Sequence, residues 1–300
     1  MIRHRHQKPE ILSFHPCVET DKNILCAGRE PWDDDLAAIK AADAVILPQG
    51  CRESLYKMAH NNCDRVFPNY DAKFRYPGKI AQIQLFRETG VPHPKTDAYL
   101  TYDEFIKIRS REKILSPGFY NFLNINKSLP FIFKFAWGGE GDNVFLIRSY
   151  EEFKDALHKA VIFEKTGQSG FLVQEYIPSG NRTLRVVIIG KKILSYWRVQ
   201  ENPEDFCSNL ARGGVIDPGS DPDLQAEART AVRYFCRKTG INLAGFDLLF
   251  SELDSERTPL FLEINYFFGR SGLGGSEKFY ELLNTEIRKW IDDQHLNLMQ

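Results

Sequence analysis

The chain has no apolar run approaching the ~20 residues that a membrane-spanning helix requires, so no membrane partner is expected from its 300 residues. It has no surplus of either charge: 39 Lys and Arg face 40 Asp and Glu, for a formal net charge of -1. A dedicated nucleic-acid binder would carry a basic excess or stripe, so that class is set aside. Cysteine is sparse and scattered, at positions 17, 26, 51, 63, 207 and 236, without a Cys-x-x-Cys pair or zinc-type spacing. Such cysteines read as reduced packing thiols of a cytoplasmic protein. The opening MIRHRHQKPEILSF has a basic front but lacks the roughly 7–15-residue apolar core of a signal peptide. His4 and His6 read as part of a frayed polar terminus. Two phosphate signatures are also missing. Gly28 stands alone where a dinucleotide fingerprint needs G-x-G-x-x-G, and no Walker-type G-x-x-x-x-G-K-[ST] occurs.

What is present is enough for a large core: 43% hydrophobic and 13% aromatic residues, including 22 Phe. The length is twice the usual ~150-residue domain, which suggests two lobes or one elaborated domain. Residues 1–96 alternate short strands and helices as an open α/β domain does. Strands are expected at Ile11–Phe14 and Asn23–Ala27, in AVILP and in DRVFPN. Helices are expected after Asp33-Asp34-Asp35, over Glu53–Asn61 and over Gly78–Thr89, the first capped by one of its aspartates. The two prolines of VPHPKT mark a boundary, after which helices mix with alternating strands over 97–177 and 178–300. Gly190-Lys191 should join two of those strands as a hairpin.

Two places break the apolar pattern. In FIFKFAW, Phe131, Phe133 and Phe135 share one strand face while Lys134 sits on the other, where it is costly unless an anion meets it. Directly after come Gly138, Gly139 and Gly141, whose backbone can approach an oxyanion. Together they read as a phosphate grip; a snorkelling lysine ahead of an ordinary turn is the competing reading. Further on, Glu263 and Asn265 are two apart in an apolar strand and so share a face, with Asp247 in the strand before. If those strands pair, two carboxylates and an amide oxygen converge, a donor set suited to Mg²⁺. A buried structural network is the alternative.

The ordered set of strand lysine, glycine loop, VQEYI, FCSNLARGG, Asp247 and the pair Glu263/Asn265 resembles the ATP-grasp superfamily, and most of all its RimK-type carboxylate–amine ligases. The resemblance runs from about Pro77 to Trp290. It implies an ATP-grasp fold, α/β and α+β in class, behind an N-terminal Rossmann-like domain. It also implies ATP and Mg²⁺, with Mn²⁺ as a substitute, as cofactors. The nucleotide residues it implies are Lys79, Lys134, Gly138, Gly139, Gly141, Glu175, Tyr176, Thr183, Cys207, Ser208 and Asn209. The metal ligands are Asp247, Glu263 and Asn265. Arg185 and Arg212 are assigned to the substrate, with Arg212 and Lys134 as the catalytic pair; Arg270 is added to the substrate residues because it lies five residues past Asn265, close enough in chain to reach the reacting group, a solvated residue in a surface loop being the alternative.

Two positions depart from the family pattern. Thr183 stands where the family has Asp, and YFFGRSGLGG follows Asn265 in place of A-S-P-G. The expected reaction is activation of a carboxylate as acyl phosphate and its transfer to an amine, on an amino acid, peptide or protein, in a chain that could also form homo-oligomers. A phosphotransferase on the same fold and a non-catalytic nucleotide-binding protein are the alternatives. A serine hydrolase is excluded, because Gly269 and Ser271 are followed by Leu273 where G-x-S-x-G needs glycine.

Overall fold

The computed structural model describes residues 9–26, 28–112, 129–138, 143–202, 208, 210 and 213–296. The first strands are β1 (Ile11–Ser13), β2 (Lys22–Asn23), β3 (Ala44–Ile46) and β4 (Val66–Phe67). They pair in parallel in the order β2-β1-β3-β4. β1 and β3 are buried throughout, as the apolar runs of a sheet covered on both faces should be. The helices of this part are α1 (Asp33–Ala41), α2 (Glu53–Asn62), α3 (Asp71–Arg75) and α4 (Gly78–Thr89).

Two local expectations are corrected here. No aspartate is the N-cap of α1: Trp32 holds that place, and Asp35, one turn in, accepts its N–H at 2.7 Å while taking both guanidinium nitrogens of Arg29. β2 is only Lys22–Asn23 where Asn23–Ala27 is expected, with the Ile24 N–H still donating to the Ser13 carbonyl at 2.9 Å; residue 27 lies outside the described residues. The Asn23 amide accepts from the Thr20 N–H and donates to the Val18 carbonyl, a local turn that leads into this short strand.

A second sheet contains β5 (Thr96–Tyr99), β6 (Phe131–Phe135), β7 (Val144–Ile147) and β8 (Phe171–Glu175). It is antiparallel, in the order β5-β8-β6-β7. Helices α5 (Tyr102–Glu112) and α6 (Tyr150–Lys165) cover it, the latter capped by Ser149, whose hydroxyl accepts the Glu152 N–H. Phe131, Phe133 and Phe135 face Phe105, Phe153 and Phe171 in one ring-packed core, with Phe133 and Phe171 stacked at 5.0 Å. That burial leaves the Ile132 and Lys134 face to the neighbouring pocket.

The third sheet carries β9 (Arg182–Ile189), β10 (Lys192–Val199), β11 (Val215–Asp217), β12 (Leu243–Leu249) and β13 (Leu260–Asn265). Its order is β11-β10-β9-β12-β13, antiparallel throughout. The β9–β10 hairpin turns at Gly190, whose φ of 59° is one that glycine adopts without strain.

On one face, Leu184, Val186 and Ile188 pack with Phe86 of α4 and Phe235 of α7 (Pro222–Thr239). On the other, Val187 and Ile189 are covered by Leu283 and Ile287 of α8 (Gly275–Asp293). That cover stops short of the start of β9. Thr183 and Arg185, on the same face as Val187, open instead into a cavity.

Candidate active site

The cavity has a volume of about 420 Å³ and lies between the second and third sheets. Lys79, Lys134, Glu175, Tyr176, Thr183, Arg185, Ser208, Asp247, Glu263 and Asn265 all line it. Of the other expected site residues, Gly139, Gly141, Cys207, Asn209 and Arg212 lie outside the described residues.

The polar floor is a row across four strands. Tyr196 pairs with Arg185, Arg185 with Asp247, and Asp247 with Glu263 in the strand register. Antiparallel partners stand side by side on one face, so the row is a direct product of sheet order. Arg185 donates to both oxygens of Asp247, at 2.5 and 3.1 Å. Arg198, from β10, reaches the first of those oxygens at 2.7 Å, and the Asn265 amide donates to the second at 3.1 Å. Burial alone would raise the Asp247 carboxyl, but the two guanidiniums overcome it and hold the group at about 2. Among the described residues Glu263 has no comparable ion pair. Its burial pushes its carboxyl above the ordinary value, and the fields of Lys79, Lys134 and Arg185 offset this only in part.

This geometry refines the expected metal site. A carboxylate offers about four acceptor positions, and the four bonds to Asp247 use them all. Asp247 is therefore first the counter-ion of an arginine pair. Glu263 and Asn265 remain as oxygen donors, since Asn265 turns its NH₂ to Asp247 and keeps its carbonyl oxygen for another partner. Among the described residues no three His, Cys, Asp or Glu gather to hold a metal. The set fits a hard cation that takes its remaining ligands from a nucleotide's phosphates.

At the phosphate end, Lys79 donates to the Gly138 carbonyl at 2.9 Å, which brings the two expected lysines and the start of the glycine loop together. Gly138 has φ 76°, and a Cβ there would lie 2.0 Å from the Asn143 amide nitrogen, so only glycine fits. Thr183 shares a hydrogen bond of 2.7 Å with Ser208 and accepts from Arg198 at 3.0 Å. The Glu175 N–H is donated to the Lys95 carbonyl at 2.9 Å and so is not open to an adenine ring.

Arg270 is the misplaced expectation. It does not line the cavity. Its guanidinium lies over the rings of Phe279 and Tyr280, at 4.8 and 4.6 Å, and turns to Ser276 at the start of α8. Four residues not singled out from the sequence do line the cavity or hold it: Arg198, Tyr196, Phe267 and Gln82. Arg198 carried the same signal as Lys134, a cation in an apolar strand. Gln82 carried none, being one polar residue within an amphipathic helix.

The chain belongs to the RimK-like ATP-grasp family, whose domain model matches residues 110–290. It is an ATP-dependent carboxylate–amine ligase of that family. A probable alpha-L-glutamate ligase 2 of Shewanella denitrificans is 29% identical over 230 residues, spanning 72% of this chain and 71% of its own. Among solved structures, the N5-carboxyaminoimidazole ribonucleotide synthetase of Thermotoga maritima superposes with a TM-score of 0.57 at 14% identity. It covers 97% of this chain and 70% of that one. The VanG D-Ala:D-Ser ligase of Enterococcus faecalis has a TM-score of 0.56 at 14% identity, over 83% and 73% of the two chains. At these identities the structural likeness is one of fold, the ATP-grasp fold.

Proposed function

We propose that the cavity binds ATP with Mg²⁺, phosphorylates a carboxylate to an acyl phosphate, and passes the acyl group to an amine with release of ADP and phosphate. The observation that carries this reading is the approach of Lys79 and Lys134 to the Asp247–Glu263–Asn265 row within one cavity. A carboxylate cannot expel oxide, so it must first be given a better leaving group. Phosphoryl transfer spreads negative charge over the moving group, and catalysis consists mainly of fixed positive partners around it. Lys134, rooted in a ring-packed strand, and Lys79, on α4, supply such partners at fixed positions. Mg²⁺ would be held by Glu263 and Asn265, with Asp247 joining by exchange of a guanidinium bond, and would supply further neutralisation of the phosphates. Arg185 and Arg198 line the same cavity, and each carries five N–H donors, more than Asp247 and Thr183 take, so that the remaining ones suit a substrate carboxylate.

The cation in this reading is Mg²⁺ with Mn²⁺ as substitute, the partners are a carboxylate and an amine acceptor, and the setting is the cytoplasm. The five described cysteines are free thiols, which supports a reducing compartment. Among the described residues no helix is long and apolar enough to cross a membrane.

The test is a screen of acid and amine pairs for ADP release, followed by the mass of the product. ADP and phosphate formed only when both acid and amine are present support the ligase. A stable phosphorylated product without need of an amine would replace it with a phosphotransferase.

A further inference from the structure

Every acceptor position of Asp247 is taken, so a cation can reach this carboxylate only where a donor leaves it. The bonds are not equally free to break. Arg185 holds Asp247 in a fork and has no other acceptor among the described residues. Asn265 must keep its NH₂ turned to Asp247 if its carbonyl oxygen is to stay open. Arg198 is different. Its Nη2 lies 2.7 Å from Asp247 and 3.0 Å from the Thr183 hydroxyl, so Thr183 still anchors it when the first bond is given up. Thr183 is in turn tied to Ser208 at 2.7 Å.

The rest of the Arg198 guanidinium is idle. Its side chain is only 11% exposed, yet its Nε–H is buried without an acceptor among the described residues, which is costly for a charged group. Arg198 lines the cavity, where an arriving oxygen anion would meet it. Its counter-ion is also shared, since Arg185 and Arg198 divide the one carboxylate of Asp247. Thr183 stands where the family pattern has aspartate. With a hydroxyl at that position, Arg198 draws on Asp247 instead.

We propose that Arg198 couples the acid to the cation: the substrate carboxylate draws its guanidinium away from Asp247, and the oxygen so released becomes available to Mg²⁺. This inference rests on the ligase reading above and names the guanidinium bond that is exchanged. Charge accounts for the coupling. A cation bound without the acid would part Arg198 from Asp247 and leave a buried guanidinium unpaired. An acid bound without the cation would take a donor from a buried carboxylate. Bound together, the acid neutralises Arg198 and the cation takes its place at Asp247, so each tightens the other by the same factor. The site is then complete only when the acid is present, which protects ATP from transfer to water.

The test reads cation affinity rather than turnover. Mn²⁺ binding to the full-length protein is followed by the paramagnetic resonance of the free ion. AMP-PNP, an ATP analogue that cannot transfer its phosphoryl group, is present throughout. Acetate and L-glutamate are the carboxylate probes, with chloride as the control for ionic strength. In the wild-type protein at least one of them should lower the Kd for Mn²⁺ by about fivefold or more. Arg198→Gln should lower it without any acid and abolish the effect of adding one. Thr183→Asp gives Arg198 a carboxylate within the chain and should act likewise, whereas the uncharged Thr183→Asn should not. Combined with Arg198→Gln, Thr183→Asp should gain nothing further. Thermal melts establish that each variant is folded. A Kd that neither acid changes in the wild-type protein, or an acid effect that survives Arg198→Gln, overturns the inference. Should a nucleotide phosphate draw Arg198 away instead, AMP-PNP alone gives the full affinity and the acids add nothing, which overturns it too. In each of these cases ADP release that needs both acid and amine leaves the ligase intact. Absence of such release from every pair overturns the ligase reading itself, and the inference with it.

Discussion

Gln82 and Ile264 are joined by two hydrogen bonds of 2.8 Å: the side-chain amide of Gln82 donates to the Ile264 carbonyl, and its oxygen accepts the Ile264 N–H. Ile264 lies between Glu263 and Asn265 on β13, the outermost strand of its sheet. One side chain on α4 thus takes the place of a neighbouring strand and fixes the backbone from which both oxygen donors project.

Replacing Gln82 by Leu should leave that N–H and carbonyl buried without partners, at about 1–3 kcal/mol. Activity should fall further than stability alone explains, because loss of position costs roughly tenfold to a hundredfold in kcat. Gln82→Glu keeps the acceptor for Ile264 N–H but sets a carboxylate against its carbonyl, and should not rescue. Thermal melts beside acid-dependent ADP release check both. A kcat unchanged in a destabilised protein would show that β13 needs no such support.

Glu263→Gln separates binding chemistry from folding. Burial raises the Glu263 carboxyl above its ordinary value. Below the unfolded value the group is neutral in both states and costs nothing. As pH rises through the folded value, the native state must hold a charge that the unfolded chain solvates more easily. The amide should therefore raise Tm at pH 7 and lose that advantage toward pH 4, while abolishing turnover. A Tm gain that does not vary with pH would place its cause elsewhere.

Gly272 faces the Tyr196 ring so closely that a Cβ would sit 2.1 Å from its Cζ. Gly272→Ala should cost about 1–3 kcal/mol through overpacking, and Tyr196→Ala in the same chain should recover part of it. Additive losses in the double mutant would show that the two do not compete for one space.

His15 makes acid sensitivity predictable. Burial, with Arg270 nearby, lowers its imidazole to about 4, and its Nδ1 accepts the Cys17 N–H at 3.0 Å. It is buried against Tyr280. The unfolded chain takes up a proton near the ordinary histidine value while the native state refuses it, so stability should fall as pH drops from about 6.5 toward 4. His15→Asn keeps an acceptor for Cys17 without the titration and should flatten that slope. Denaturant midpoints at pH 7, 6 and 5 measure it.

The sequence revealed residues whose meaning is local. Lys134 and the Glu263–Asn265 pair could be read because two-residue alternation alone decides which face they occupy. Arg185 and Asp247 could be named but not joined, since their ion pair depends on β9 lying between β10 and β12, an order that no local pattern encodes. Arg270 was misread because chain distance gave its reach but not its direction. The rings of Phe279 and Tyr280, nine and ten residues on, hold it on α8 instead.

On the proposed reading, Lys134, Glu263 and Asn265 are set in strands and Lys79 on α4, whereas the cavity wall on the far side of Asn265 comes from the short link Tyr266–Gly274 before α8. That division makes selectivity a replaceable part. A chain could exchange this connector, keep its power to spend ATP, and acquire a new substrate in a single stretch of sequence, which makes transplantation of the connector between relatives a direct route to altered products.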